Sequence, residues 1–213
     1  MEFRIDGPPG ARATLLLAHG AGAGMASPAM QMASAALAAA GLQVLRFEFD
    51  YMAARRAGRR KPPPRAEFLT EEFLAAVAAA DVREKLVIGG KSMGGRVASL
   101  VADELHAAGT AAGLFCLGYP FHPAGKPDQL RTQHLERLTV PSLICQGTRD
   151  PFGSRAEVAG YALSDSIRII WLEDGDHDLK PRRLVTGLTQ ADHFATMARK
   201  VAAWTETLPA PPR

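Results

Sequence analysis

The residues best suited to chemistry are a serine, a histidine and an aspartate that occur in the order Ser92, Asp150, His177. Ser92 sits among small residues in Gly89-Gly90-Lys91-Ser92-Met93-Gly94-Gly95, after the apolar run Leu86-Val87-Ile88. A helix-forming stretch follows, so the spacing predicts a strand that reverses into a helix at the serine. A reversal that tight strains the serine and exposes its Oγ, while the helix start offers a positive dipole end and an unpaired N–H at Met93. A serine hydroxyl needs a base to take its proton, and the base needs an acid to orient it. Asp150 stands in Gly147-Thr148-Arg149-Asp150-Pro151, and His177 in Glu173-Asp174-Gly175-Asp176-His177-Asp178, each just past an apolar run. Asp174, Asp176 and Asp178 compete with Asp150 for the acid's place. Asp150 is preferred, because an acid in the histidine's own turn rarely curls back onto its Nδ1. The second oxyanion donor is expected from His19-Gly20-Ala21-Gly22, at Ala21 with Gly22 close behind. His19 itself is read as a prop for that loop rather than a second base.

Side chains so far apart in sequence can meet only if the elements that carry them end at one edge. Apolar runs at 13–18, 44–49, 85–89, 113–118, 140–146 and 167–172 read as strands. Helical stretches lie between them: 28–40, opened by Ser27-Pro28, then 67–80, 94–106 and 190–204. Strands that are apolar on both faces and alternate with helices predict a mainly parallel sheet of about six to seven strands, covered by helices on both sides. In such a sheet the carboxyl ends of the strands share a rim, and the three side chains can meet there. One α/β domain is expected over 1–207, with a frayed tail at 208–213. The segment 119–139 is the only connection with weak helical periodicity, and it is short for a cap.

Composition narrows the classes. The chain has 213 residues, 47% of them hydrophobic, which supplies a sizeable core and excludes a disordered or fibrous chain. No run of 18 apolar residues occurs, so no membrane span is expected. The N-terminus lacks the basic-then-apolar pattern of an export signal, and the two cysteines, Cys116 and Cys145, lie inside apolar runs. Reduced thiols and a cytoplasmic setting are expected. The net charge of +3 conceals a basic segment with Arg55, Arg56, Arg59, Arg60, Lys61 and Arg65 around Pro62-Pro63-Pro64. Aromatics are only 7% of the chain and are not interleaved with those cations, which argues against nucleic acid as a partner. His106, His122, His134 and His193 show no metal-ligand spacing, and Gly20-Ala21-Gly22-Ala23-Gly24 lacks the Lys-Ser/Thr of a phosphate loop. No metal or cofactor is expected.

The His19-Gly20-Ala21-Gly22 turn, the Ser92 elbow, Gly147-Thr148-Arg149-Asp150-Pro151 and Gly175-Asp176-His177 together resemble the α/β-hydrolase superfamily. More narrowly, the chain resembles small predicted hydrolases near the dienelactone hydrolase group, over roughly residues 12–205. Two departures stand out. Dienelactone hydrolases use a cysteine nucleophile where this chain has Ser92, so their reaction does not carry over. Only residues 2–5 remain where many members have an N-terminal hairpin, and the cap position is minimal. The resemblance implies a serine hydrolase for carboxylic esters or thioesters of small molecules, working through an acyl-enzyme intermediate. Tyr51, Phe121, His122 and Phe152 are candidate walls of a shallow site. Arg55, Arg56 and Lys91, at the rim of Ser92, are candidates to draw in an anionic ester; the plainer reading of the basic segment is a solvated loop stiffened by proline. Two other functions use the same residues: a catalytically silent scaffold for protein interaction, and an acyltransferase. Nothing in the sequence speaks to oligomeric state.

Overall fold

In the strands β2 (Thr14–Ala18), β4 (Leu86–Lys91), β5 (Gly113–Leu117) and β6 (Ser142–Gly147) every residue is buried. Burial on both faces is what a central parallel strand requires. The computed structural model describes residues 1–59 and 61–209. Among these, β1 (Phe3–Asp6), β3 (Gln43–Phe47) and β7 (Ile167–Leu172) complete a seven-stranded sheet in the order β1-β3-β2-β4-β5-β6-β7. All neighbours are parallel except β1, which pairs antiparallel with β3 at one edge. The first residues are thus a strand of the sheet. Arg46 of β3, almost fully buried, holds Asp6 at 2.7 Å across that pair.

Alternate residues of each strand feed opposite cores. Leu15 and Leu17 of β2 pack with Met30 and Leu37 of α1 (Pro28–Ala39) and with Phe194, Met197 and Val201 of α7 (Gln190–Thr207), which follows the single-turn helices α5 (Arg155–Val158) and α6 (Arg183–Thr186). Leu16 and Ala18 point the other way, toward Phe73 and Val77 of α3 (Thr70–Ala80) and Val97 and Val101 of α4 (Met93–Ala107). The period of two in the strands and the helical stripes therefore match across both interfaces. Cys116 belongs to one core and Cys145 to the other; both thiols are free, and burial pushes their pKa up. Among the described residues no helix is long and apolar enough to cross a membrane.

Three boundaries differ from the sequence expectation. The strand at 44–49 stops at Phe47, because Phe49 becomes the N-cap of a helix, α2 (Asp50–Arg56). The start of the basic segment is therefore helical, and Arg60 lies outside the described residues. A 3-10 turn, Ala66–Leu69, leads into α3. At the other end α7 runs on to Thr207, and Leu208 is buried with Trp204 over Gly113 rather than frayed. Lys85 Nζ donates to the carbonyls of Thr205 and Leu208 at 2.8 and 2.7 Å, which satisfies the helix C-terminus. Residues 210–213 lie outside the described residues. Between β5 and β6 the chain has one 3-10 turn, Leu135–Arg137, and no helical cap.

The chain winds outward from β2 to β3 and then returns to the far side of β2 as β4. This reversal opens a crevice at the carboxyl ends of β2 and β4, where ligands of open parallel sheets bind.

Candidate active site

Ser92 joins β4 to α4 with φ 52° and ψ −116°, a conformation costly for any residue with a side chain. Its N–H donates to Leu117 O at 3.0 Å and its carbonyl accepts from Arg96 N–H at 3.0 Å, so the strain is held from both sides. A Cβ on Gly94 would stand 2.5 Å from Ala18 O and 2.6 Å from His19 O. Glycine is therefore obligatory for α4 to start this close to β2.

His177 lies in the turn after β7 and reaches both partners. Its Nε2 is 2.8 Å from Ser92 Oγ, and its Nδ1 is 2.8 Å from Asp150 Oδ2. A carboxylate only accepts, so the proton sits on Nδ1 and Nε2 is left to accept the serine hydroxyl. Asp150 is fully buried after β6 and also accepts from Phe152 N–H at 2.9 Å and Gln146 Nε2 at 3.0 Å. Gln146 Oε1 takes the Tyr119 N–H at 2.7 Å, which orients the amide so that its NH₂ faces Asp150. The rival acids are engaged elsewhere. Asp174 pairs with Arg182 and Arg149; hydrogen bonds from Arg182 hold its pKa down near 2. Asp176 accepts from Asp178 N–H and Lys180 N–H, and Asp178 pairs with Lys91 at 2.8 Å.

The loop after β2 faces Ser92. Gly20 lies beside the serine Cβ, and its carbonyl accepts from His19 Nδ1 at 2.7 Å and from Tyr51 OH at 3.3 Å. Because a trans peptide points its C=O and N–H in opposite directions, this anchoring turns the Ala21 N–H away from His19 and Tyr51. His19 Nε2 in turn accepts the Phe49 N–H at 3.1 Å, and burial lowers the pKa of this ring. His19 is thus neutral and bonded on both nitrogens. At the other side of the serine, Met93 opens α4, so its N–H has no partner within the helix.

A cleft of about 690 Å³ opens over these groups. Gly20, Ala21, Ser92, Met93, His177 and Phe152 line it, with the Phe152 ring tilted on the His177 imidazole at 4.3 Å between centroids. The other proposed walls are elsewhere. Tyr51 is buried behind the Gly20 loop, where desolvation pushes its hydroxyl up to about 12. Phe121 is buried against Tyr119 and Tyr161. His122 is buried too, bonded through Nδ1 to Pro123 O at 2.8 Å. Arg55 and Arg56 do not line the cleft, since α2 carries them off its rim; Arg56 pairs with Glu48 and Glu2. Lys91 does line it, but its charge is spent on Asp178 and its Nζ donates to His177 O at 3.0 Å. Sequence reasoning missed Arg96, Arg131 and Glu67, which also line the cleft. Arg96 was findable, four residues beyond Ser92 on the same helix face. Arg131 belongs to a segment without periodicity and carried no signal.

Residues 11–206 match the family model described as an alpha/beta hydrolase domain. No curated protein sequence matches the chain. Among solved structures, a dienelactone hydrolase from Anabaena variabilis superposes with a TM-score of 0.69 at 20% identity, covering 97% of this chain and 91% of that one. An α/β serine hydrolase without lid from Xanthomonas campestris gives 0.67 at 19% identity, covering 99% and 90%. The esterase domain of a Rhodothermus marinus protein gives 0.65 at 19%, covering 97% and 92%. Likenesses at this identity concern the fold, whereas the family model spans nearly the whole chain. The chain belongs to the alpha/beta hydrolase domain family.

Proposed function

We propose that the protein is a serine hydrolase that cleaves carboxylic esters or thioesters of small molecules. The observation that carries this reading is the unbroken line Ser92 Oγ–His177 Nε2, His177 Nδ1–Asp150 Oδ2, both at 2.8 Å, ending on a strained serine at the floor of an open cleft. Ser92 Oγ attacks the acyl carbon as His177 Nε2 takes its proton. Asp150 keeps the proton on Nδ1 and balances the imidazolium. The N–H groups of Met93 and Ala21 receive the negative charge on the carbonyl oxygen. When the tetrahedral species collapses, the C–O or C–S bond breaks and the departing alcohol or thiol takes the proton from His177. Water then attacks the acyl-serine, with His177 as base, and releases the acid.

Labelling by a fluorophosphonate probe tests this directly. The wild-type protein should label and turn over short nitrophenyl esters, and Ser92→Ala should do neither. A folded wild-type protein that does not label, or labelling that survives Ser92→Ala, overturns the reading.

A further inference from the structure

One part of the cleft wall is short of negative charge. Among the described residues the lining carries four cations, Arg65, Lys91, Arg96 and Arg131, against two carboxylates, Glu67 and Asp178. Lys91 is neutralised by Asp178. Arg96, Arg131 and Glu67 remain, two guanidinium groups on the lining against one carboxylate. Glu67 pairs with Arg96 through Nη2, yet the Arg96 Nε–H is buried with no acceptor. Arg131 lines the same cleft as Arg96, and among the described residues its side chain has neither a hydrogen bond nor a carboxylate partner. Its backbone is nonetheless fixed: its N–H donates to Phe121 O at 2.7 Å and its carbonyl accepts from Tyr119 OH at 3.2 Å. A buried donor without an acceptor costs stability, and the Arg131 guanidinium on the cleft wall is the part of this group still open to a ligand.

We propose that Arg96 and Arg131 form a carboxylate-binding subsite, so that the preferred substrates are esters carrying one carboxylate a few bonds from the scissile carbonyl. This rests on the hydrolase reading above and names its substrate class. The cluster's charge selects a single negative charge, since two guanidiniums and Glu67 leave a surplus of one. The planar fork of arginine suits a carboxylate, and Glu67 already occupies one such pairing with Arg96. Arg96 follows Ser92 by one helical turn, about 6 Å along the axis, which fits about two to four carbons between ester carbonyl and carboxylate. The exposed Arg65 on the same wall adds attraction without competing for the pairing.

The test compares monomethyl glutarate with its isosteric amide, methyl glutaramate, and 4-acetoxybutyrate with 4-acetoxybutanamide. The first pair puts the carboxylate on the acyl side and the second on the leaving group. At least one acid should exceed its amide by about 10- to 100-fold in kcat/KM, the worth of one charge-assisted hydrogen bond. The ratio should fall toward one in Arg131→Gln, drop below one in Arg131→Glu, and shrink as salt rises. Arg131→Lys, which keeps the charge but not the fork, should lie between. Turnover of all four esters with acid-to-amide ratios near one in the wild-type protein overturns the subsite and leaves the hydrolase reading standing. If nothing is turned over and Ser92 does not label, the hydrolase reading falls, and glutarate binding by calorimetry decides the subsite alone. Binding at least about tenfold weaker in Arg131→Gln supports the subsite. No binding, binding that ignores the substitution, or stronger competition by inorganic phosphate overturns it.

Discussion

Around the ends of β6 and β7, hydrogen bonds close on themselves. Asp150 takes three N–H donors, from His177, Gln146 and Phe152, and Gln146 spends both ends of its amide on Tyr119 and Asp150. On the wall built by the first turn of α4 and residues 119–134, the donors outnumber the acceptors. Among the described residues the Arg131 side chain has no partner and Arg96 keeps an unmatched Nε–H. Both regions border one cleft, so burial alone does not explain the difference. A relay must hold one geometry, which a satisfied network enforces. A recognition wall must keep attraction in reserve, which only unspent donors provide.

The largest expected effect attacks the closed network at its acid. Asp150→Asn should lower kcat by ~10⁴-fold while the protein stays folded, because an amide no longer enforces the Nδ1–H tautomer. Steady-state kinetics with a neutral nitrophenyl ester, beside a circular dichroism spectrum, measures it. If kcat falls less than tenfold, the Asp150 end is not part of a working relay and the contrast loses one side.

Gln146→Leu asks whether satisfaction at one remove matters. It leaves Asp150 a donor short and orphans the buried Tyr119 N–H. Kinetics should show kcat down about 10- to 100-fold with KM little changed, and denaturant titration a loss of about 1–3 kcal/mol. Loss of stability with kcat intact would make Gln146 a packing residue only.

Gly118 tests the same network by crowding. It has φ +66°, and a Cβ there would sit 2.9 Å from His177 O and 3.3 Å from His177 Nδ1. Gly118→Ala should cost about 1–2 kcal/mol for the left-handed backbone and move the imidazole off Ser92. Stability and kcat should therefore fall together, read by urea midpoints and nitrophenyl ester turnover.

Glu67→Gln sharpens the other side of the contrast. Removing the carboxylate that pairs with Arg96 should raise the preference for carboxylate-bearing esters ~2- to 5-fold, by freeing charge that is partly screened at a half-exposed position. An unchanged acid-to-amide ratio would mean the wall's charge is not in surplus.

The smallest effect is in pH. His134 sits behind the wall, 2.8 Å from Ser99 Oγ; burial, and then the Arg96 charge, lower its pKa to about 4. The unfolded chain takes up this proton near pH 6.5, the folded protein only near 4. Below pH 6.5 the unfolded state therefore binds more protons, and stability falls as pH drops from 6.5 to 4. Thermal melts of wild type and His134→Gln across that range should converge at low pH. Parallel curves would mean that His134 takes up its proton at the same pH in the folded and unfolded chain.

The sequence alone determined the strands, because runs apolar on both faces have no stable place except inside a covered sheet, and it determined the chain order of serine, acid and histidine. The elbow was legible at Ser92, since small residues between an apolar run and a helix start announce a tight reversal. The edge strand at Phe3–Asp6 was too short to show a period, and α2 was hidden by a run of arginines that looks like loop. The tertiary structure brought Asp150, the acid preferred from the sequence, onto His177 and gave Asp174, Asp176 and Asp178 other partners. It also decided which cations face the cleft: Arg55 and Arg56 turn away with α2, while Arg96 and Arg131 arrive from two segments 35 positions apart. A strand's burial depends on its own side chains. A site's charge depends on what the chain brings next to it from elsewhere, and that is a property of the packed structure.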